Sequence, residues 1–419
     1  MTPKKEELHA AGRATRLTRE QFPGMRRCSI AFVLLVCTVH PYAAVAQATV
    51  AVVGAVNYTY NSNVFYAQSG TVPGLSPGTG YADSYTTYTG SLDLGYQSAN
   101  QKLHADLTGS DFQYRKFTQL SHQEYKLDAG WTGTFWSVWN GKFDVIRDRM
   151  MEPFLDLTGV SVLGITTAQR EEAGFGVQFR PAWRAEASGY TNDSHWPLPG
   201  EPNAELKESE GDVSLKYLGS AAVTSGVRMA YLTGTYSGNT NEALNTSYRQ
   251  WSAGILASYA SGHSNFTGVV SYSDRTSPGT QSVINSLSGV TAALNYFNQL
   301  TGKTSVTVNL TRAFNPYPTN LGSEIDNAAS VTLGWDVSYR IRVDGTYTYD
   351  YAQYPGQGNN PIGGDRLDHL QTAAIDLNYR PRPWFSLKPY ASYNRRTSNF
   401  TGGDFNVSEY GVKLTLTWP

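Results

Sequence analysis

Thiols, long apolar runs and charge imbalance are all scarce in this chain, and each scarcity excludes something. The 419 residues include two cysteines. Both Cys28 and Cys37 lie in an amino-terminal segment that reads as a cleaved signal, so the mature chain is expected to hold no disulfide framework and no cysteine metal site. Beyond that segment no continuous apolar run reaches the roughly eighteen residues that a membrane helix needs. The formal net charge of −1 gives no global attraction to nucleic acid, which is therefore not an expected partner.

Catalytic patterns are scarce too. Past the signal, His104, His122, His195, His263 and His369 are widely scattered. Ser121-His122 and Ser194-His195 are sequence neighbours, and neighbours on a strand point to opposite faces. Asp144 and Asp148 share a strand face, as carboxylates in a water-filled barrel do anyway. Gly356 to Gly364 reads as an outer loop rather than a phosphate cradle, and no calcium-loop spacing is present. No enzyme activity, cofactor or metal site is expected.

The amino terminus accounts for the thiols. From Met25 the chain reads MRRCSIAFVLLVCTVHPYAAVAQA, with basic Arg26 and Arg27, an apolar run from Ile30 to Val39, and Ala44-Val45-Ala46 at a cleavage position. Residues 25–46 are expected to be a signal peptide, 1–24 a dispensable or misassigned leader, and 47–419 one barrel domain.

What the chain does have is alternation. In the stretch from Asp326 to Tyr354, Ala329, Val331, Leu333, Trp335, Val337 and Tyr339 fall on one strand face, with Ser330, Thr332, Gly334, Asp336 and Ser338 on the other. A second run puts Ile341, Val343, Gly345, Tyr347, Tyr349 and Tyr351 opposite Arg342, Asp344, Thr346, Thr348 and Asp350. Each exceeds the roughly ten residues that carry a tilted strand across a bilayer. A tight turn joins them at Arg340, and Asn315 to Ile325 and Pro355 to Arg366 read as long loops. A soluble sandwich also alternates, but its strands usually stop at about five or six residues. The 28 Tyr and 9 Trp suit aromatic belts at two lipid interfaces, and a mean hydropathy of −0.38 suits a wall apolar only at alternate residues.

The same period predicts strands over Thr49–Tyr60, Ser84–Gln97, Lys102–Phe117, His122–Trp136, Lys142–Phe154, Thr167–Arg180, Trp183–Asn192, Lys207–Gly219, Val223–Tyr236, Ser247–Ala260, Ser264–Asp274, Ile284–Phe297, Gly302–Ala313, Leu367–Arg380, Trp384–Thr397 and Phe405–Trp418. With the hairpin, this is an all-β, antiparallel, up-and-down transmembrane β-barrel of about 18 strands, 16 being the runner-up. Short turns near Ala99, Asn140, Pro181, Ser220, Gly262, Asn298, Arg340 and Arg382 are expected on the periplasmic side, alternating with long extracellular loops. Leu414, Leu416 and Trp418 on one face of the last strand look like the carboxy-terminal signal read by the barrel assembly machinery, an expected partner.

The segment Tyr58-Thr59-Tyr60-Asn61-Ser62-Asn63-Val64-Phe65 resembles the YxxNVF stretch of a family of bacterial barrel porins associated with exopolysaccharide synthesis and export. The resemblance extends to Val331–Tyr354 and to the Pro-Trp turn Tyr379-Arg380-Pro381-Arg382-Pro383-Trp384, echoed by Phe179-Arg180-Pro181-Ala182-Trp183. It implies an outer-membrane barrel of the polysaccharide-associated kind and identifies no bound sugar. Its motif residues are Tyr58, Tyr60, Asn63, Val64 and Phe65.

The polar phase supplies the candidate lumen lining: Asp93, Asp106, Asp336, Asp344, Asp350 and Asp376, with Arg312, Arg342, Lys388 and Lys413. Neither sign dominates, so strong ion selectivity is not expected. These charges either brace the wall or line a passage for hydrated solutes. The expected function is a passive aqueous pathway in the bacterial outer membrane, with support of polysaccharide export as its finer form. A non-conducting structural or adhesive barrel, closed by the loop Asn61–Asp83 or Pro355–Arg366, is the alternative, and an outer-membrane hydrolase comes third. Membrane lipid, lipopolysaccharide, and polysaccharide or small hydrophilic solutes complete the expected partners.

Overall fold

The computed structural model describes residues 46–68, 72, 80–151, 164–196, 204–220, 222–238, 245–277, 286–317, 322–355 and 365–418. The leader and all but the last residue of the expected signal peptide lie outside them.

Among the described residues eighteen strands follow one another: β1 (Gln47–Asn61), β2 (Asp83–Gln97), β3 (Gln101–Tyr114), β4 (His122–Phe135), β5 (Trp139–Met151), β6 (Ile165–Arg180), β7 (Trp183–His195), β8 (Glu205–Leu218), β9 (Val223–Ser237), β10 (Ser247–Ala260), β11 (Ser264–Thr276), β12 (Leu287–Gln299), β13 (Thr304–Tyr317), β14 (Gly322–Ser338), β15 (Ile341–Tyr354), β16 (Arg366–Arg382), β17 (Phe385–Ser398) and β18 (Phe405–Trp418). A single 3-10 turn, Thr118–Leu120, precedes β4. Every strand pairs antiparallel with the next, and β18 returns to β1 over Val52 to Asn61. Closure gives every strand two partners, which a wall in lipid requires because no water is there to satisfy a free backbone.

Connections after even-numbered strands are short, from 98–100 to 383–384, and those after odd-numbered strands are mostly longer, as at 62–82 and 355–365. Three expectations are corrected. The reading of Asn315 to Ile325 as a long loop fails: β13 and β14 pair from Thr304↔Trp335 out to Tyr317↔Gly322, and four residues join them. Thr311 to Ala313 alternates weakly, so the ladder rather than the pattern carries the hairpin outward. The turn predicted near Asn140 is centred instead on Trp136 and Ser137, whose φ values are 47° and 60°. Two positive φ angles make a type I′ turn, which Asn-Gly normally supplies. Asn140-Gly141 offered that signal from inside the ladder, where both residues pair with β4 and β6. Asn298, likewise, is held in β12 by its side-chain bond to Ser264 Oγ at 2.7 Å, and the turn follows at 300–303.

The sheet has two chemically different faces. One carries Val50, Val52, Leu94, Leu107, Phe175, Val213, Val227, Ile255, Leu333 and Ile375, all exposed. The other is polar, and curvature identifies it as the inner one: side chains from strands that flank a third can meet only across the concave side. Arg342 on β15 reaches Ser305 on β13 over Gly334. Tyr390 on β17 reaches Thr59 on β1 at 2.7 Å and Asn57 at 3.2 Å over Gly411. At both glycines a Cβ would collide with these crossing side chains.

Aromatic residues band the convex face at two heights. Trp139 with Phe175, Trp183 with Tyr217, and Trp384 stand near the short-turn rim. Tyr60 stacked on Tyr410 at 4.8 Å, and Trp251 beside Tyr272 at 5.9 Å, stand toward the other. A closed antiparallel barrel with an apolar, doubly girdled exterior is a transmembrane β-barrel.

Candidate functional site

Nine of the ten sequence-predicted lining residues share the concave face, because register keeps their phase. Arg342 bridges Asp344 at 2.9 Å and Asp336 at 3.4 Å. Asp344 lies opposite Asp376, which Lys388 contacts at 3.0 Å, and Lys388 lies opposite Lys413. Asp350 sits farther up the same face. Asp93 and Asp106 face each other across β2 and β3, away from the Arg342 network.

Arg312 is the exception and is corrected. It pairs with Ala292 on β12 and Asn327 on β14, in phase with Leu310, Ala329, Val331 and Leu333 on the convex face. There its guanidinium donates to Val290 O at 2.9 Å and to Asn327 Oδ1. Its phase in the sequence, shared with Val306, Val308, Leu310 and Phe314, already points to that face, and only its charge suggested the lumen.

The register also assembles residues that composition left scattered. Asp128 lies directly opposite Asp106, so β2, β3 and β4 present three carboxylates in one row. Asp128 is contacted by His104 and Lys126, each at 3.3 Å, whereas Asp93 and Asp106 have no ion pair among the described residues. Farther round, Arg228 holds Glu210 at 2.6 Å and Asp212 at 3.0 Å, Lys142 meets Glu172, and Lys216 meets Glu186 at 2.5 Å. The wall from β10 to β13 differs, presenting Ser252, Ser271, Ser273, Thr291, Asn295 and Asn309 with Arg275 as its one cation among the described residues. Arg275 is buried under Tyr248 and donates to Gln250 Oε1 at 2.9 Å and to Phe314 O at 2.6 Å. Polar phase on any of these strands was the signal for them.

At the long-loop rim the described part of the β1–β2 connection turns inward. Val64, Phe65, Ala67, Val72 and Tyr81 pack with Tyr114, Phe117 and Leu120 in one buried cluster, against Tyr85 and Phe112 on the concave face. Asn63 shapes the turn: its N–H donates to Asn61 Oδ1 and its side-chain amide to Ala67 O, both at 2.8 Å. Asp83 closes it by accepting from the N–H groups of Ser84, Lys116 and Phe117 at 2.7–2.9 Å. The five motif residues therefore separate, Tyr58 and Tyr60 on the convex wall and Asn63, Val64 and Phe65 inside the mouth. His122 is stacked on Phe112 at 4.7 Å and hydrogen-bonded to Leu120 O at 2.7 Å and Glu124 at 3.0 Å, which gives it a bracing role. His195 pairs with Thr167 and Glu205 in phase with the convex face.

No protein-family model matches the chain, and no curated protein matches it. Among solved structures it is similar to the outer membrane protein OpdK from Pseudomonas aeruginosa, at 10% identity over 88% of this chain and 99% of that one, with a TM-score of 0.45. It is similar also to OccAB3 from Acinetobacter baumannii, at 10% identity over 89% and 100% of the two chains, TM-score 0.44. The FrpB iron transporter from Neisseria meningitidis shares 10% identity over 83% of this chain and 61% of its own, TM-score 0.47. Likenesses this distant carry no argument about solute or mechanism. By its own closed wall and girdled exterior, the chain is a β-barrel of the bacterial outer membrane.

Proposed function

We propose that this barrel is a passive pore for small hydrophilic solutes. The observation that carries the reading is the concave face itself: charged and hydroxyl side chains run round it strand after strand, where a barrel with a packed interior would interdigitate apolar ones. Eighteen strands fall in the range that leaves an aqueous lumen. Partly exposed pairs such as Lys388 with Asp376 add only about 0–1 kcal/mol each to stability, so their alternation along the wall acts chiefly on water and solute. The β10–β13 wall of hydroxyls and amides suits neutral, hydrogen-bonding solutes, and the inward-packed loop at 61–68 narrows the mouth.

The finer reading, a pathway that supports polysaccharide export, rests on the resemblance carried by Tyr58 to Phe65. Lipopolysaccharide around the outer rim and the assembly machinery at β18 belong to the same proposal. Full-length protein reconstituted in planar bilayers tests the pore: discrete, ohmic current steps are expected, and a heat-modifiable, folded barrel that never conducts favours the structural or adhesive alternative. Loss of polymer secretion on deletion of the coding sequence tests the finer reading separately.

A further inference from the structure

The upper aromatic girdle has a gap. Register carries Trp251 to Tyr231, then to Gly211, Gly189 and Ala173, so the belt stops at β8. Where Tyr58, Tyr88, Tyr393 and Tyr410 stand exposed on other strands, β5 to β8 carry charge instead. Arg147 and Arg149 are on β5, Glu171 on β6, Asp193 on β7, and Glu205 and Lys207 on β8. All six are in phase with Phe175 and Val213, which are 50% and 56% exposed on the convex face. Side chains of Lys207 and Asp193 are 58% and 50% exposed, and Arg147 and Glu171 have no ion pair among the described residues.

Charges on the outside of a barrel are costly in lipid and become tolerable toward the interface. Their arrangement points to an occupant. Both arginines are at one edge of the patch, and the three carboxylates lie from its middle to the other edge, where Lys207 contacts Glu205 at 2.8 Å and Asp193 at 3.8 Å. A twofold axis along the membrane normal brings β5 of one protomer against β8 of the other, and β6 against β7. The basic edge then meets the net-negative side of the patch, β6 to β8, at both ends. An anionic lipid head group would call for an excess of cations, and this patch has as many carboxylates as cations. Gly189, Gly211 and Ala173 below the charges let two walls approach closely. Four strands about 4.8 Å apart and about 43 Å long present roughly 800 Å², the area per partner of a standard stable interface.

We propose that the convex wall of β5 to β8 is a homodimer interface, in which Arg147 and Arg149 of one protomer pair with Asp193 and Glu205 of its partner. The occupant is a second copy of this chain, independent of whether the lumen conducts.

Two measurements on full-length protein in a detergent-lipid mixture test it. Analytical ultracentrifugation should give a dimer. The variant Arg147→Glu/Arg149→Glu should weaken association by about a hundredfold, and adding Asp193→Lys and Glu205→Lys should restore it. Heat-modifiable migration shows that each variant is folded. Because the barrel strands contain no cysteine, Thr191→Cys near the axis should give a cross-linked dimer with a short bifunctional maleimide, while Tyr272→Cys on another wall should not. A monomer, a monomer retaining lipopolysaccharide, a trimer, or a dimer indifferent to the charge reversals overturns the proposal.

Discussion

Replacing Phe65 by Ala tests whether the β1–β2 connection restricts the mouth. Phe65 is 1% exposed, and its ring lies 4.8 Å from Phe117 and 5.7 Å from Tyr81. Truncating a buried Phe costs about 3–5 kcal/mol, of which each edge-to-face partner accounts for about 0.5–1.5 kcal/mol. That loss falls on docking of the loop, because the β1–β2 ladder keeps all its pairs from Gln47↔Gln97 to Asn61↔Asp83. A loss of about 3 kcal/mol raises the undocked-to-docked ratio more than a hundredfold, which takes a closed loop to one that opens constantly. Single-channel recording should show larger, noisier steps than the parent, and chymotrypsin should cut the folded barrel near Tyr66. Migration of the unheated protein in sodium dodecyl sulfate should stay that of a folded barrel. Conductance and protease resistance both equal to the parent would refute the reasoning.

Three further predictions concern other parts of the wall. Trp136→Asn with Ser137→Gly relieves two left-handed residues in the β4–β5 turn and should stabilise the barrel by about 1–2 kcal/mol, read as higher urea resistance in detergent; lower resistance would contradict the turn assignment. Asp93→Lys with Asp106→Lys inverts the row on β2 and β3 and should move the reversal potential in a salt gradient toward anion preference, while an unmoved potential would take these residues off the ion path. Burial raises the Tyr66 phenol above its ordinary range, with the Glu409 carboxylate adding to the shift. The docked loop is therefore fully stable below the unfolded value of about 10 and loses stability as pH rises through the higher folded value. Conductance should rise in that alkaline window and stay flat in Tyr66→Phe; an identical rise in both would remove Tyr66 from the transition.

Period two made most of the barrel legible. In β10 and β18 the predicted ends coincide with the observed ones, because Ser247 to Ala260 and Phe405 to Trp418 alternate up to residues that stop the ladder. Turns were harder wherever tertiary pairing overrode local chemistry, as at Trp136-Ser137, where a strong turn dipeptide lies four residues downstream inside β5. The outer end of β13 was invisible because Asn315-Pro316-Tyr317 reads as loop and is strand only by pairing with β14. Most lumen residues followed from phase, and Arg312 was misassigned on its charge although Val306, Val308, Leu310 and Phe314 set the apolar phase on both sides of it. The inward fold of residues 61–68 had a weak signal in Val64-Phe65, two apolar residues in a polar loop. No local pattern marks the gap in the upper girdle, which exists only once β5 to β8 are aligned.

The central claim is that alternate residues of each strand face water inside the wall and lipid outside it. Single cysteines at Ser330, Val331, Thr332 and Leu333 on β14 test it in a barrel whose described residues contain no cysteine. A charged, membrane-impermeant thiol reagent added to conducting channels should alter the current at Ser330→Cys and Thr332→Cys and leave Val331→Cys and Leu333→Cys unchanged. Equal reaction at all four positions, or reaction at Val331→Cys and Leu333→Cys alone, would contradict it.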